Sequence, residues 1–489
     1  MDKRPHVLIF NADQWRGDSL GHVGHPAAVT PTLDRMVETD SVSFRHAFCQ
    51  NPVCTPSRCS FMSGWYPHVR GHRTMYHMMK PDEPVLLRTL KQHGYFVWWG
   101  GKNDLVPPQH GYDDYCDIKY EPPPHKHFPN CDPDWRGPPN GDNYYSFYIG
   151  RLAGRASEPR HLDSDWDNVL GAIDLIRNRP ADKPLCIYLP LSYPHPPYGV
   201  EQPYYSMIDR ASVPPRIATP SSWDLLPAML RGIYERQRLQ SWTETRWNEL
   251  RATYYGMCAR VDDQLGMVLD ALKQASIYDD TAVFFFSDHG DFTGDFGLVE
   301  KTQNTFQDCL TRVPFVVKPP AWINVQPRVS DAMVELVDFP ATVEEMTRIG
   351  PSHTHFGRSL LPVIAGDRDE HRDAVFCEGG RLLGETQCKE LEGGHHTPEN
   401  LYWPKIDVQV TDDVAHGKAV MCRTKKYKYV RRLYESDELY DLHADPHEID
   451  NRINDPALNG VLAELKDRLL CFYLETVDAV PHQTDPRYT

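Results

Sequence analysis

The chain has 489 residues, of which 40% are hydrophobic and 25% are charged. These proportions are typical of a globular protein, and the length suits one large domain joined to a smaller one. The formal net charge is −16 and no basic stripe offsets it, which argues against a nucleic-acid-binding role.

Near its start the chain carries a short apolar run, from Val7 to Phe10. A run of this length predicts a strand rather than the apolar segment of a signal peptide, and no stretch approaches the length of a membrane span. The 12 cysteines have no repeating spacing, so the sequence does not indicate a disulfide framework. We therefore expect a cytoplasmic protein that does not enter a membrane.

Apolar segments of strand length recur along the chain. They cover residues 7–11, 95–99, 185–191, 282–286 and 313–317. Continuous apolar strands are buried on both faces, as in a mostly parallel sheet that helices cover. Between the third and fourth segments, an amphipathic helix is predicted by apolar residues at three- and four-residue steps: Met257, Val261, Leu265, Val268 and Leu272. This alternation predicts an α/β fold.

Polar residues follow the first four of these strands and are candidates for a functional site. Asp13, Lys102, His195 and Asp288 each come soon after one strand. In open α/β sheets, ligands bind beyond the carboxyl ends of the strands. We therefore expect these side chains, which are far apart in sequence, to meet at one edge of the sheet.

The pattern of the chain changes after about residue 366. Strand-like segments at 374–377 and 419–430 precede a terminal helix near 461–474, and the residues between, 383–418, are predicted to form a loop. We interpret residues 1–370 as a large first domain. Residues 371–489 are interpreted as a small α+β domain that completes the pocket of the first.

The strongest local motif runs from Cys54 to Arg58, with the sequence CTPSR, and is followed by Met62-Ser63-Gly64. A cysteine before a proline, taken alone, is more often a buried structural thiol. The extended pattern resembles the C-x-P-S-R signature of the type I, formylglycine-dependent sulfatases of the alkaline phosphatase-like superfamily. The resemblance implies that a formylglycine-generating enzyme oxidises Cys54 to an aldehyde. The hydrate of that aldehyde would attack a sulfate ester beside a divalent metal.

Two segments at strand ends resemble the metal-binding segments of that family: Asp13-Gln14 and Asp288-His289. The resemblance implies a metal site formed by these four residues and the modified Cys54. Oxygen ligands favour calcium, whereas His289 leaves manganese or another divalent metal open. Without the resemblance, the commoner role of each aspartate would be a helix cap after a strand.

Cations at three further positions match charged groups of the family's active site. The resemblance implies that Lys102 and Lys301 hold sulfate oxygens and that Arg58, which is permanently charged, orients the diol. It also implies that His195 donates a proton to the leaving oxygen, because imidazole has a pKa near neutral pH.

Two positions depart from the family pattern. Asp104 stands where the family commonly has a histidine, two residues after Lys102. One hypothesis is that Asp104 pairs with Lys102 or Arg58 and tunes them, and another is that it meets a cationic part of the substrate. Gln14 is similar to the residue found in phosphonate monoester hydrolases and phosphodiesterases of this fold. Those hydrolases, however, usually lack the Gly-Lys element that supplies Lys102.

The sequence thus predicts an alkaline phosphatase-like α/β fold, with a large mixed, mostly parallel sheet flanked by helices and a smaller C-terminal α+β domain. The predicted function is hydrolysis of a small-molecule sulfate ester, whose alcohol stays open. An alternative with the same machinery is a phosphonate monoester hydrolase or phosphodiesterase. A third is a non-catalytic relative, which the full set of reactive residues disfavours. Bacterial-type relatives often form dimers or tetramers, so a homo-oligomer is an open alternative to a monomer.

Overall fold

The computed structural model describes residues 4–122, 134–153, 163–391 and 396–487. The strands are β1 (His6–Ala12), β2 (Val42–Phe48), β3 (Phe96–Gly100), β4 (Ile118–Tyr120), β5 (Tyr148–Arg151), β6 (Leu185–Pro190), β7 (Tyr198–Val200), β8 (Thr281–Ser287), β9 (Arg312–Val313), β10 (Phe315–Lys318), β11 (Arg328–Glu335), β12 (Val375–Gly379), β13 (Ala419–Arg423), β14 (Tyr427–Arg432) and β15 (Glu438–Asp441). The α-helices are α1 (Pro31–Thr39), α2 (Cys54–Ser63), α3 (Pro67–Arg70), α4 (Leu86–Gln92), α5 (Ser164–Arg177), α6 (Tyr204–Met207), α7 (Ala228–Gln237), α8 (Glu244–Gln274), α9 (Asp308–Thr311), α10 (Asp338–Thr347), α11 (Leu361–Ile364), α12 (Trp403–Thr411) and α13 (Asn459–Thr476).

A nine-stranded sheet forms the centre of the molecule, in the order β11-β2-β10-β8-β1-β6-β3-β4, with β9 paired to β2. The neighbouring strands β8, β1, β6, β3 and β4 all run parallel, and β11 runs parallel to β2. Strand β10 is antiparallel to both β8 and β2. The predicted mixed, mostly parallel sheet is confirmed. The apolar segment predicted at 313–317 is divided between β9 and β10 by Pro314.

Both faces of the sheet are buried, because side chains alternate between the two sides of each strand. In β1, Val7 and Ile9 belong to one hydrophobic cluster, while Leu8 and Phe10 belong to the other. The predicted helix lies within α8, which spans 31 residues and packs its apolar side against the second cluster. Within the described ranges, no helix combines the length and the apolar character needed to cross a membrane.

The C-terminal residues form a separate antiparallel sheet in the order β12-β13-β14-β15, covered by α13. The rings of Phe376 and Phe472 stack there with centroids 3.9 Å apart. Two local predictions were wrong. The segment predicted as a loop contains α12, and the strand predicted at 419–430 is a hairpin of β13 and β14, turned where Thr424 N donates to Tyr427 O. The domain boundary near residue 370 stays a prediction.

Candidate active site

Four neighbouring strands bring the predicted polar residues together. The strands β8, β1, β6 and β3 are adjacent in the sheet, and Asp288, Asp13, His195 and Lys102 follow their respective carboxyl ends. Backbone contacts fix these connections: Asp288 N donates to Ala12 O at 3.4 Å and Lys102 N to Pro190 O at 3.0 Å. The sheet order therefore produces the convergence that the strand ends predicted.

Cys54 is the first residue of α2 and lies in the middle of this group. Its Sγ is 3.5 Å from Asp13 Oδ1, 3.1 Å from His289 Nε2 and 3.6 Å from Lys102 Nζ. The residue is 1% exposed. Burial, together with the negative charge of Asp13, raises the pKa of the Cys54 thiol well above its usual value. The thiol is therefore protonated at neutral pH.

Asp13, Cys54, Asp288 and His289 form a group that could hold a metal ion, since their ligand atoms all lie within 4.8 Å of one another. His289 Nδ1 is 2.9 Å from Gly290 O, so this nitrogen donates and Nε2 faces the group. Two carboxylates and one imidazole suit a divalent cation. Metal-binding histidines typically donate their other ring N–H to a carbonyl or carboxylate, as His289 does here.

Gln14 lies beside this group, with its side chain bonded to two other residues. Its Oε1 accepts from Lys301 Nζ at 2.6 Å, and its Nε2 donates to Asp291 Oδ2 at 2.5 Å. Its main-chain N donates to Asp288 Oδ1 at 3.1 Å. The structure thus connects Gln14 both to an expected metal ligand and to the second lysine of the site.

Arg58 joins the two aspartates of the group. Its guanidinium donates from Nε to Asp288 Oδ2 at 3.0 Å and from Nη2 to Asp13 Oδ2 at 2.9 Å. All three side chains are fully buried. Burial alone would raise the pKa of Asp13, but the positive charges around it, above all that of Lys102, hold that pKa well below its usual range. Asp13 is therefore a carboxylate at neutral pH.

Lys102 Nζ lies between two carboxylates. It is 2.6 Å from Asp13 Oδ2 and 2.8 Å from Asp104 Oδ2. Burial opposes the charged form of Lys102, but the negative charge of Asp13 above all raises its pKa well above the usual value. Asp104 itself has a positive φ of 41°. Of the two hypotheses for Asp104, the observed geometry agrees with a pairing to Lys102.

Lys301 and His195 are in contact with each other at the site. Lys301 Nζ is 2.9 Å from His195 Nε2 and 2.8 Å from Glu300 Oε1. His195 Nδ1 is 2.5 Å from Pro196 O. Burial lowers the pKa of His195 to about 3, and the charge of Lys301 acts in the same direction. The resting imidazole is therefore neutral.

A cavity of ≈ 450 Å³ opens onto Cys54, Lys102, His195 and Lys301. Part of its wall comes from residues after 370 that the sequence reasoning missed: Glu390, Asn400, Tyr402, Lys405 and Ile406. These residues lie in the segment predicted as a loop and carry no motif. A larger cavity of ≈ 650 Å³ lies between β13, β14 and α13. We do not assign it to the reaction, because residues other than those predicted for the site line it.

Asp291 is a further residue that sequence reasoning missed. Its carboxylate accepts from Tyr198 Oη at 2.7 Å and from Gln14 Nε2 at 2.5 Å. Burial raises its pKa to about 6. The sequence contains a signal for it: Asp291 is an acidic residue only two positions after the predicted Asp288-His289 pair.

The mixed sheet and the buried cations and carboxylates at its strand ends define a hydrolase of the alkaline phosphatase-like fold. Residues 5–349 match the family model described as sulfatase. The chain therefore belongs to the sulfatase family, and it is a sulfate ester hydrolase.

Individual relatives are distant but cover almost the whole chain. Arylsulfatase K of Gallus gallus is 24% identical over 92% of this chain and 79% of its own length. The multifunctional alkaline phosphatase superfamily protein PehA of Trinickia caryophylli is 24% identical over 97% and 96%. Among solved structures, the phosphonate monoester hydrolase of Agrobacterium radiobacter is similar with a TM-score of 0.73 and 21% identity, covering 98% of this chain and 100% of that one.

Proposed function

We propose that this chain hydrolyses small-molecule sulfate esters with a formylglycine made from Cys54 and a divalent metal. The observation that carries the proposal is the position of Cys54, whose Sγ lies within 3.6 Å of Asp13, His289 and Lys102. Sulfatases generally use a divalent metal and a formylglycine. A nucleophile at this point would reach both the group suited to the metal and the lysine suited to the sulfate.

An unmodified thiol fits the chemistry poorly. Thiolates rather than thiols are nucleophilic, and burial raises the pKa of Cys54. A formylglycine hydrate would place two hydroxyl groups at the same point. One could attack sulfur, and the other could later lose its proton so that sulfate leaves and the aldehyde re-forms. Conversion of Cys54 requires an external oxidant and, in this proposal, a formylglycine-generating enzyme as partner.

The metal would be held by Asp13, Asp288, His289 and the modified residue 54, with Gln14 as a further candidate ligand. Carboxylate oxygens make calcium the first choice, and the imidazole of His289 is compatible with manganese. When bound, the metal would lower the pKa of the attacking hydroxyl and offset negative charge on oxygen. Arg58, which bridges Asp13 and Asp288, would keep both carboxylates in the orientation needed for binding.

The remaining cations would bind and orient the ester. Lys102 and Lys301 would hold sulfate oxygens, since both lysines line the cavity that contains Cys54. His195 would deliver a proton to the leaving oxygen through Nε2, the nitrogen that faces Lys301. Residues 371–489 would act as a second domain that completes the pocket, because part of the wall of the cavity comes from that segment.

A phosphonate monoester hydrolase or phosphodiesterase is the second candidate. Gln14 favours it, because the Asp13-Gln14 segment resembles that of the phosphonate monoester hydrolases and phosphodiesterases of this fold. The structural similarity to a phosphonate monoester hydrolase supports the shared fold only. The sulfatase hypothesis is favoured by the family match and by Lys102, whose Nζ lies 3.6 Å from Cys54 Sγ.

The test compares kcat/KM for 4-nitrophenyl sulfate and a matched 4-nitrophenyl phenylphosphonate, using protein co-produced with a formylglycine-generating enzyme. Cys54→Ala removes the nucleophile, and Cys59→Ala is the matched control, since Cys59 is a second buried thiol of α2. We expect a sulfate preference that Cys54→Ala abolishes and Cys59→Ala retains. A preference for the phosphonate would establish the second candidate. Unchanged sulfate hydrolysis in Cys54→Ala would refute both.

A further inference from the structure

The two lysines expected to hold the sulfate are each paired with a carboxylate close to them in sequence. Lys102 Nζ is 2.8 Å from Asp104 Oδ2, and Lys301 Nζ is 2.8 Å from Glu300 Oε1. The carboxylate offsets the charge of the lysine, so each pair offers little net positive charge to a ligand. Lys102 and Lys301 therefore suit a ligand group with a small negative charge better than one with a large negative charge.

Asp104 is the more exposed of the two carboxylates. Its side chain is 18% exposed and lines the cavity beside Cys54, whereas that of Glu300 is 3% exposed and also pairs with Lys405 at 3.1 Å. A bound ester would therefore lie close to Asp104 without full solvent screening. Extra negative charge on the transferred group would therefore be repelled by Asp104.

The loop holds Asp104 in this place by local bonds. Asn103 Oδ1 accepts from Leu105 N at 3.2 Å and from Val106 N at 3.1 Å, and Asn103 Nδ2 donates to Val106 O at 2.6 Å. Asp104 adopts the left-handed backbone region, with φ 41°. This region is uncommon for residues other than glycine, and such conformations occur where surrounding structure enforces them, often at functional sites.

The charged groups around Asp104 come from three parts of the fold. Lys102 belongs to the same loop, Arg58 lies on α2, and Asp13 follows β1. Burial raises the pKa of Asp104, but Lys102 and Arg58 lower it further than burial raises it, so the net direction is downward. Asp104 is thus a fixed negative charge at the pH where the enzyme would work.

We propose that Asp104 is a charge-selectivity residue: it admits the singly charged sulfate ester group and disfavours the doubly charged group of a phosphate monoester. This inference rests on the proposed function. A sulfate ester carries one negative charge, whereas a phosphate monoester carries about −1.5 to −2 at neutral pH. Repulsion from Asp104 grows with that charge, so it opposes binding of a phosphate monoester more than binding of a sulfate ester. The two groups have the same tetrahedral shape, so shape does not distinguish them.

The first test uses Asp104→Asn, which removes the charge, keeps the size and tolerates the left-handed backbone. We expect the ratio of kcat/KM for 4-nitrophenyl phosphate over 4-nitrophenyl sulfate to rise by about tenfold or more at neutral pH. A phosphodiester carries one charge, so its ratio to the sulfate ester should change by less than about twofold. Asp104→Glu should keep the wild-type ratios. Asp331→Asn, which removes an exposed carboxylate paired with Arg45 at 3.0 Å, is the control.

A binding experiment separates charge selection from catalysis. In calcium-loaded Cys54→Ala protein, calorimetry would compare methyl sulfate with methyl phosphate, with and without Asp104→Asn. With Asp104 present, we expect weaker binding of methyl phosphate at neutral pH and a smaller difference at about pH 5, where the phosphate carries one charge. In the protein that also carries Asp104→Asn, the difference at neutral pH should largely disappear. Because it measures binding, this experiment tests charge selection by Asp104 even if the variant has lost turnover.

The outcomes distinguish this inference from the function on which it rests. If the wild type hydrolyses sulfate esters and Asp104→Asn leaves both the rate ratios and the binding difference unchanged, the charge-selectivity role is wrong and the sulfatase proposal stands. If the diester ratio rises as much as the monoester ratio, Asp104 selects by shape or packing and the proposal is also wrong. Loss of the proposed function would instead show as sulfate hydrolysis that does not depend on Cys54.

Discussion

Nζ of Lys301 lies 2.9 Å from Nε2 of His195, so the expected proton donor of the site accepts a hydrogen bond in its resting state. Nδ1 of His195 is 2.5 Å from Pro196 O and carries the ring proton. The neutral ring agrees with a pKa that burial lowers to about 3. Donation by His195 through Nε2 would therefore require a proton passed on from Lys301, or a bound anion that raises the pKa of the imidazole.

His195→Gln should lower kcat for esters of poorly acidic alcohols by about 10²-fold to 10⁴-fold. The effect on 4-nitrophenyl sulfate should be much smaller, because its leaving oxygen needs little protonation. The measurement is the slope of log kcat against the pKa of the leaving alcohol, which should become steeper in the variant. His46→Gln is the control, because burial also lowers the pKa of His46, to about 4, but it lies outside the cavity. Equal losses for all leaving groups would contradict a proton-donor role.

Metal binding should depend on Asp288. Calcium should raise the melting temperature of the wild type, since a ligand that binds only the folded state stabilises it. Asp288→Asn removes one charge from the expected ligand group and should weaken calcium binding by about tenfold or more. Calorimetry and thermal unfolding with and without a chelator measure both effects. Asp331→Asn should bind calcium like the wild type, and unchanged affinity in Asp288→Asn would remove Asp288 from the site.

Stability should fall as the pH is lowered below about 6.5, because His416 is buried and neutral. Burial lowers its pKa from 6.5 to about 3, and the charge of Arg381 acts in the same direction. Below about pH 6.5 the unfolded chain takes up a proton that the folded protein does not, until the pH approaches the folded-state pKa. Each such histidine reduces the free energy of unfolding by up to about 1.4 kcal/mol per pH unit in this window.

His416→Gln should therefore make the decline in the free energy of unfolding shallower by about 1.4 kcal/mol per pH unit between pH ~6.5 and the acid transition. Urea unfolding at a series of pH values measures it. The matched variant His443→Gln changes an exposed position and should leave the slope unchanged. The same slope in His416→Gln and wild type would show that His416 is not the group that titrates.

Lys405→Met should raise KM for sulfate esters by several-fold, on the order of 3 to 10, with a smaller change in kcat. Lys405 lines the cavity and pairs with Glu300 Oε2 at 3.1 Å, so its removal leaves the wall more negative toward an anionic substrate. Steady-state kinetics separate the two constants. Lys389→Met removes a lysine paired with Asp413 outside the cavity and should change neither. A loss confined to kcat would contradict a role in substrate binding.

The strand ends could be predicted because the signal is local. An apolar segment buried on both faces needs no distant information to be recognised, and a polar residue just after it marks the edge where ligands bind. Asp13, Lys102, His195 and Asp288 were found in this way. The motif around Cys54 is equally local, and the family match confirms the class of enzyme that it indicated.

The sequence by itself therefore determined the α/β class, the strand ends and the sulfatase family of this chain. Tertiary structure alone decided which groups pair: Lys102 with both Asp13 and Asp104, and Lys301 with His195. It also decided that Lys405 lines the cavity. Most of these contacts join residues far apart along the chain, and no periodicity or motif encodes them. They depend on the order of strands in the sheet and on the packing of α12 against the site, which only the folded chain fixes.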